Sequence, residues 1–400
     1  MATAIHDEFA CSLQHPEGSR VTVLLVTREF GGHEKMLLEW LKEAQRQGLQ
    51  VGIYCRNIFE LTQQCAAAGL HVDAFAYAIP GQRWRIVEIF RDLVATSRIL
   101  RRMPGDSIAL FAPGVVQTAP WHILAAALCR RRVASYVPMA YGSRGMRFRF
   151  AALRDWIVRQ VIRHVDIWIT ITEQQRRLLK DQWRIDAPIY VVPNRLNLPG
   201  AAATVRPIPA DERRPTRVLF LGRFERNQKG LDWLVAELRR HRSSWAGHMR
   251  FVFQGQGEYE QALRQLALES SDGAVSIAPW GNVVQEMQQA DVLLLPSRFE
   301  GFPLVAVEAT HYGVPVVASN QAGLADVLPP ACIFPFGDFE ALSKALERMR
   351  DPLARTSAVA HAQTRLRPLL SRDSFEQAVG NVTREFAGNA PGTSHASATP

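Results

Sequence analysis

A chain of 400 residues, with 47% hydrophobic residues, 21% charged residues and a net charge of +9, holds enough apolar material for two globular domains. No apolar run reaches the roughly 18 residues of a membrane-spanning helix, and the N-terminus lacks the basic start and apolar core of a signal peptide. We therefore expect a cytoplasmic protein. Five scattered cysteines without a CxxC spacing argue against a disulfide framework and a zinc site.

The first half of the chain alternates strand and helix patterns. A strand at Val21–Thr27 leads through Gly31 and Gly32 into an amphipathic helix at 34–47, which ends at Gly48 before a second strand. Further strands are predicted at Ser107–Phe111, Val133–Val137 and Ile167–Ile171. This order predicts a doubly wound α/β domain with a parallel sheet.

The alternation stops and then restarts. Residues 191–216 are rich in Pro and Ala without apolar periodicity, which is typical of a linker. Beyond them, a strand that runs into a loop at 217–224 and strands at 250–254, 290–297 and 314–319 alternate with helices, so we predict a second Rossmann-like domain. The predicted division of the chain is an N-terminal extension (1–19), a first domain (20–195), a linker (196–216), a second domain (217–372), a final helix (373–387) and a disordered tail (388–400).

Arginines concentrate in the first half. Residues 81–103 carry a net charge of +4 and residues 130–164 carry +8. Either this is a solvated surface in an arginine-rich chain, or it is a basic face for anionic lipid or a phosphorylated acceptor. The apolar residues of 86–100 recur at helical spacing, so that helix either packs on the sheet or lies at a bilayer interface.

The segment "LGRFERNQKG" places two cations beside the end of a strand. Gly222 and Arg223 follow the strand, and Lys229 precedes a helix that begins near Leu231. A guanidinium fork and an ammonium group suit the oxygens of a diphosphate. Two solvated surface cations are the alternative for such a pair taken alone.

The segment "SRFEGFPLVAVEAT" predicts a helix that starts at Pro303 and stops at Gly313. Gly301 allows close approach of the backbone to a ligand, and the helix start offers free N–H groups to phosphate or sugar oxygens. Glu308 lies in an otherwise apolar helix, so its carboxylate needs a partner. It either accepts hydrogen bonds from the hydroxyls of a ribose or pairs with an arginine, and Glu300 is either a ligand-binding or a helix-start carboxylate.

These motifs together resemble a known family. The spacing Glu300-x7-Glu308, the flanking "ADVLLLPS" and "GVPVVAS", the GR…KG loop, "VVPNRLNLP" and the Gly-Gly loop look like the retaining, nucleotide-sugar-dependent glycosyltransferases of the GT-B fold, of the large group 1/family 4 type. The match covers about residues 20–385 and is strongest in the second half. The resemblance implies two Rossmann-like domains facing a cleft, with the final helix crossing back onto the first domain.

The resemblance also implies roles for individual residues. Arg223 and Lys229 would bind the donor diphosphate, Glu308 the ribose, and the Gly32 N–H the phosphate from the opposite domain. Glu300 would lie near the donor sugar, and we expect Arg223, Lys229 and Glu300 to be catalytic. The remaining expected donor-binding residues are Gly222, Gly255, Gly301, Phe302, Pro303 and Leu304.

The acceptor side departs from the family pattern. Many relatives carry a histidine shortly after the strand read here as "VASYV", whereas this chain has Pro138, Met139 and Ala140. His33 and His122 are the nearest histidines, and each is either an acceptor-side residue or a structural one.

The resulting hypothesis is transfer of a sugar from a nucleotide diphosphate sugar to a hydroxyl acceptor, lipid-linked, glycan or small molecule, with retention of configuration. Cations and a helix start can neutralise the leaving diphosphate, so no metal and no cofactor are expected. A dinucleotide-dependent oxidoreductase lacks its G-x-G-x-x-G signature here. A non-catalytic sugar-nucleotide-binding relative and a nucleotide-sugar epimerase stay open. An anionic membrane surface on the inner face of the cytoplasmic membrane is a candidate partner, and nucleic acid is not expected.

Overall fold

The computed structural model describes residues 20–25, 32–55, 59–67, 69–74, 86–196, 198, 214–270, 272–279 and 281–388. The predicted N-terminal extension, Gly31, most of the predicted linker and the tail beyond residue 388 lie outside the described residues. Two parallel sheets organise the rest, one in each half of the chain.

The first sheet has seven strands. They are β1 (Arg20–Leu25), β2 (Gln50–Cys55), β3 (His71–Ala74), β4 (Ile108–Phe111), β5 (Val133–Tyr136), β6 (Ile167–Thr170) and β7 (Ile189–Val191). Its helices are α1 (Gly32–Arg46), α2 (Phe59–Ala67), α3 (Ile86–Arg102), α4 (Pro120–Leu128), α5 (Ala151–Ile162) and α6 (Glu173–Trp183). The strand order is β3-β2-β1-β4-β5-β6-β7.

The second sheet has six strands. They are β8 (Thr216–Leu221), β9 (Met249–Gln254), β10 (Val275–Ala278), β11 (Val292–Leu295), β12 (Val316–Ser319) and β13 (Ile333–Phe334). The helices of this half are α7 (Leu231–Arg240), α8 (Arg242–Trp245), α9 (Glu260–Glu269), α10 (Val283–Gln289), α11 (Leu304–His311), α12 (Phe339–Arg348) and α13 (Pro352–Leu369), and α14 (Arg372–Gly388) follows. The order β10-β9-β8-β11-β12-β13 repeats that of the first sheet.

Both orders reverse beside the first strand of their sheet, which is the doubly wound topology predicted from the sequence. Strand β4 shows why its residues are continuously apolar: Leu110 packs into the core on one face of the sheet, and Phe111 packs into the core on the other. The predicted fold class, two Rossmann-like α/β domains, is confirmed.

Several local predictions need correction. The helix expected to include Pro303 begins one residue later, and Pro303 precedes it with extended backbone (φ −71°, ψ 112°). Helix α13 was not predicted, because its buried face has only two large apolar residues, Val359 and Leu366, and otherwise consists of Arg355, Ala358 and Ala362. The strands at 71–74, 189–191, 275–278 and 333–334 were also missed, and all four lie at the edges of their sheets, where a strand pairs on one side only.

Helix α3 packs on the sheet, so one of the two interpretations of residues 86–100 is supported. Ile99 and Leu100 are buried in the first domain's core, and Leu93 packs against that core. Helix α14 lies against the other face of the same sheet, where Phe375, Val379, Val382 and Phe386 join the core formed with α1. Gln47, just after α1, donates through its Nε2 to the Glu376 carbonyl at 3.0 Å. The last helix is therefore packed on the first domain.

Candidate functional site

The start of α1 and the loops that follow β8, β9 and β11 lie at the carboxyl ends of the two sheets, where open α/β folds bind ligands. A side chain at Gly255 would place its Cβ 1.9 Å from the Gly222 carbonyl oxygen, so glycine is required for the loops after β8 and β9 to approach so closely. Across the cleft, a Cβ at Gly32 would lie 3.5 Å from Leu304 Cδ1. The first turns of α1 and α11 therefore face each other.

Lys229 and Glu300 form an ion pair at the centre of these loops. Lys229 Nζ lies 2.5 Å from Glu300 Oε1, with side-chain exposures of 14% and 9%. Ser297 Oγ donates to the same carboxylate oxygen at 3.0 Å, and Gln228 Nε2 donates to the other at 3.4 Å. The carboxylate is thus held by three donors in a position with little solvent, which suits a preorganised site.

Arg223 is the accessible cation of the cluster. Its side chain is 60% exposed and pairs with Glu225 at 2.5 Å. Burial raises the pKa of Glu225, Arg223 and Lys229 oppose this rise, and the charges of Glu300 and Glu258 add to it. The loop between β8 and α7 therefore brings two cations next to several carboxylates, and an incoming diphosphate would compete with those carboxylates for the cations.

Arg298 holds the backbone of this loop in place. It is 5% exposed, its Nη2 donates to Asp232 at 2.6 Å, and its Nη1 donates to the Asn227 carbonyl at 2.7 Å. Its backbone N–H donates to the Gln228 carbonyl at 2.8 Å. Arg298 thereby connects the loop after β11 to the loop that carries Lys229, and it acts as a positioning residue.

Glu308 lies one turn beyond Leu304 and is half-buried. Burial raises the pKa of the Glu308 carboxyl, and the charge of Lys35 on the opposite domain opposes this rise. The arginine partner considered from the sequence is not among the ion pairs of the described residues. The charge that acts on Glu308 is that of Lys35 across the cleft, and the binding of ribose by Glu308 stays a prediction.

Gly301 and Phe302 contribute to the contact between the domains. A Cβ at Gly301 would lie 2.4 Å from the Pro138 carbonyl oxygen, so only glycine allows this approach, and Phe302 packs against the cores of both domains. Gln175 bridges the same contact. Its Oε1 accepts from Ala140 N at 2.7 Å, and its Nε2 donates to the Glu300 carbonyl at 3.2 Å.

The two histidines occupy different environments. His33 is stacked on Tyr136 with ring centroids 5.4 Å apart and lies beside Gly32, at the cleft. Burial lowers the pKa of His33. His122 is 1% exposed within the α3–α4 layer, where its Nδ1 lies 2.9 Å from Thr96 Oγ1, and burial lowers its pKa to about 3. The structure brings His33 to the site and leaves His122 in the core.

Sequence reasoning missed Ser297, Arg298, Gln228 and Gln175. The first two follow directly after β11, within the motif already singled out, so their position was an available signal. Gln175 lies 125 residues from Glu300 in the chain, and no local pattern links the two. None of the helices among the described residues combines the length and apolar character needed to cross a bilayer.

Two family models match the chain. One, described as "Glycosyl transferases group 1", matches residues 215–351, and the other, described as "Glycosyltransferase Family 4", matches residues 30–198. The two matches fall on the second and first domains respectively.

Solved structures share the arrangement of both domains. The lipopolysaccharide outer core galactosyltransferase WaaB in its apo form aligns with a TM-score of 0.63 at 16% identity, over 92% of this chain and 99% of WaaB. Anabaena HepE in complex with UDP-glucose aligns with a TM-score of 0.66 at 14% identity, over 92% and 99%.

Curated relatives are similar over a shorter segment. An uncharacterized 41.2 kDa protein in the cps region of Klebsiella pneumoniae is 32% identical over 171 residues, which is 40% of this chain and 44% of that protein. The lipopolysaccharide 1,6-galactosyltransferase of Salmonella typhimurium is 31% identical over 140 residues, 33% of this chain and 38% of the relative. The chain thus spans less than half the length of these curated relatives.

Two Rossmann-like domains whose strand ends and site loops face one cleft define the GT-B class of fold. Within that class, the chain belongs to the group 1/family 4 glycosyltransferases.

Proposed function

We propose that this protein transfers a sugar from a nucleotide diphosphate sugar to a hydroxyl acceptor, with retention of anomeric configuration. The observation that carries the proposal is the Lys229–Glu300 pair, 2.5 Å apart, beside the accessible Arg223 and in a cleft bounded by the first turns of α1 and α11. Such an array of cations and free N–H groups stabilises negative charge that develops on a leaving diphosphate.

Each site residue has a role in this proposal. Arg223 and Lys229 neutralise the diphosphate, while the N–H groups at Gly32 and Leu304 contact its oxygens. Gly222 and Gly255 keep side chains out of the diphosphate path, and Glu308 accepts hydrogen bonds from the ribose. Glu300, Gly301, Phe302 and Pro303 surround the donor sugar.

Retention follows if the acceptor attacks the face from which the diphosphate departs. The acceptor hydroxyl forms the new bond to the anomeric carbon, the bond to the diphosphate oxygen breaks, and a donor phosphate oxygen takes the acceptor proton. No protein nucleophile is assigned. The two cations supply the charge neutralisation, so activity is expected to persist in the presence of EDTA.

The donor proposed is a UDP-hexose, and the acceptor is lipid-linked or otherwise anionic. Support for the donor comes from the relatives: Anabaena HepE was solved with UDP and with UDP-glucose, and the Salmonella relative is named as a galactosyltransferase. Support for the acceptor comes from the arginine excess of the first domain, which suits peripheral attachment to the inner face of the cytoplasmic membrane.

The test begins with thermal shifts in UDP, GDP, ADP and dTDP, because a ligand at 100 times its dissociation constant stabilises a protein by about 2.7 kcal/mol. The matching sugar nucleotides are then followed by NMR, which reports released nucleotide diphosphate and the anomeric configuration of the product. Slow donor hydrolysis with UDP selectivity is expected. Binding without hydrolysis or transfer would indicate a non-catalytic relative, and a free epimeric sugar would indicate an epimerase.

A further inference from the structure

An exposed apolar surface marks the start of α5. We call it the α5 surface and define it by Phe150, Leu153 and Trp156 together with Arg147 and Arg149. The three apolar side chains are 76%, 57% and 58% exposed. Leu153 and Trp156 are three positions apart on α5 and are therefore neighbours on its surface, and Phe150 immediately precedes the helix. A cluster of exposed aromatic and aliphatic side chains next to arginines is typical of an interaction surface.

The backbone that presents Phe150 is in an unfavourable conformation. Phe150 has φ 54° and ψ 40°, in the left-handed region, and Arg147 has φ 59°. Bulky residues rarely adopt this conformation because Cβ crowds the carbonyl oxygen. The Arg149 guanidinium lies 5.7 Å from the Phe150 ring centroid. Strained backbone that exposes an aromatic ring to solvent points to a role outside folding.

The charge around the α5 surface is strongly positive. Residues 144–163 contain six arginines and one acidic residue, Asp155. Both carboxylate oxygens of Asp155 accept from the Ser143 backbone N–H at 3.1 Å, so this carboxylate is used in the loop. Arg144, Arg147 and Arg149 are exposed. The surface is therefore complementary to an anionic one.

The α5 surface adjoins the cleft. Helix α5 starts on the side of the sheet where β5 ends, and the connection between them reaches the second domain. Within that connection, Met146 and Phe148 pack with Phe299, the residue before Glu300. Asn227 Nδ2 also donates to the Met146 carbonyl at 3.2 Å. Whatever binds the α5 surface is thus held beside the site residues.

The other large apolar side chains that are exposed in the described residues lie on separate elements or, on α13, at opposite ends of one helix. Phe90 on α3 is 68% exposed, but the apolar side of α3 is packed into the core. Leu268 on α9 and Leu353 on α13 are 78% and 79% exposed, and both belong to the second domain. The α5 surface alone, within the part of the chain that the structure describes, combines three exposed apolar side chains in one short segment with a local arginine excess.

We propose that the α5 surface docks on an anionic lipid bilayer, with Phe150, Leu153 and Trp156 entering the interface and the arginines contacting lipid phosphates. Docking there turns the acceptor side of the cleft toward the membrane, so that a lipid-linked hydroxyl reaches the donor. The role in acceptor delivery rests on the proposed sugar transfer, whereas the docking itself does not.

The experiment is co-sedimentation of the 400-residue chain with vesicles of phosphatidylglycerol and phosphatidylcholine, at about 50 and 500 mM salt. The test variant is Phe150→Asn with Trp156→Ser. Asparagine tolerates the left-handed backbone at 150, so this variant is expected to fold. Leu268→Ser with Leu353→Ser is the matched control, since it removes equally exposed apolar side chains from the other domain. UDP thermal shift and donor hydrolysis without vesicles are measured for every variant.

We expect the wild type and the control to bind phosphatidylglycerol vesicles at low salt and to dissociate at high salt. The test variant is expected to bind at least about tenfold more weakly while its UDP shift and donor hydrolysis stay unchanged. Equal binding by test and control variants would overturn the proposal, as would equal binding to neutral vesicles or no binding by the wild type. Absence of donor hydrolysis in all variants, with vesicle binding intact, would reject the sugar transfer and leave the docking in place.

Discussion

Replacing Glu300 with glutamine should separate donor binding from turnover. In the donor complex, the Glu300 carboxylate and a donor phosphate would share the Lys229 ammonium, which lies 2.5 Å from Glu300 Oε1. Two anions on opposite sides of one ammonium lie about 5 Å apart, and at an effective dielectric constant of about 20 their repulsion is about 3 kcal/mol. The variant loses this repulsion together with the group that orients the ammonium. We expect UDP to bind Glu300→Gln about 1–2 kcal/mol more tightly, which is roughly 5- to 30-fold in Kd.

The same variant should be less stable and less active. Without UDP, an ammonium of 14% exposure has lost its carboxylate, which costs up to about 3 kcal/mol in the free energy of unfolding. UDP supplies a replacement anion, so the UDP-induced rise in Tm should exceed that of the wild type. Turnover is expected to fall at least about 100-fold, because a preorganised group beside the donor sugar is lost.

Calorimetry with UDP and a transfer or hydrolysis assay measure the two effects. Glu258→Gln is the matched control, because it removes an exposed carboxylate from the same loop region. Weaker UDP binding by Glu300→Gln, or turnover close to that of the control, would refute the assignment of Glu300 to the donor sugar and of Lys229 to the phosphate.

Three further predictions address single residues. Glu308→Gln should weaken UDP-glucose binding by about 1–3 kcal/mol. The affinity of the wild type should fall as pH drops through the raised pKa of Glu308, because a protonated carboxyl accepts ribose hydrogen bonds less well, and an affinity independent of pH would argue for a structural carboxylate. Arg223→Ala and Lys229→Ala should each reduce turnover at least about 100-fold and weaken UDP far more than uridine in calorimetry, whereas equal losses would mean that they support the fold. His122→Asn should reduce the loss of stability at acid pH, measured as the free energy of unfolding in urea titrations. Burial lowers the pKa of His122 from 6.5 to about 3, so burying the neutral imidazole costs the wild type no stability above pH 6.5. As pH falls toward 3, this burial lowers the free energy of unfolding of the wild type by about 4 kcal/mol. If the free energy of unfolding of that variant falls at acid pH as much as that of the wild type, buried His122 is not the cause of the fall.

Site residues could be predicted where they lie in short sequence motifs, and could not be predicted where they depend on contacts between distant parts of the chain. Lys229, Glu300 and Glu308 could be proposed from the sequence because each lies in a short motif next to a strand end, where parallel α/β folds place ligands. The ion pair between the first two was not foreseen, since it joins residues 71 positions apart. Gln175 and the packing of Phe299 against Met146 depend on how the two domains meet, which no local periodicity encodes.

The fold was predicted where strands are largely apolar and buried. The strands β1, β4, β5, β6, β8, β9, β11 and β12 consist mainly of buried apolar residues, which is typical of parallel strands covered on both faces. Helix α13 escaped because its buried face includes Arg355, whose Nη1 lies 3.4 Å from Asp291 Oδ1, and a polar residue in a buried position breaks the pattern. The position of His122 could not be predicted either, because a single histidine carries no sequence signal that separates a core residue from one at the cleft.

The packing of α14 on the first domain has a consequence for synthesis of the chain. Phe375 and Phe386 complete a core whose other side chains, such as Leu37 and Trp40, are translated more than three hundred residues earlier. At about 5–20 residues per second, the ribosome needs tens of seconds to supply the missing helix. During that interval the nascent first domain carries an uncovered apolar face while the second domain is still being made. We therefore expect folding intermediates to bind chaperones through α1, and chains truncated before residue 372 to aggregate even though the donor-binding motifs are intact.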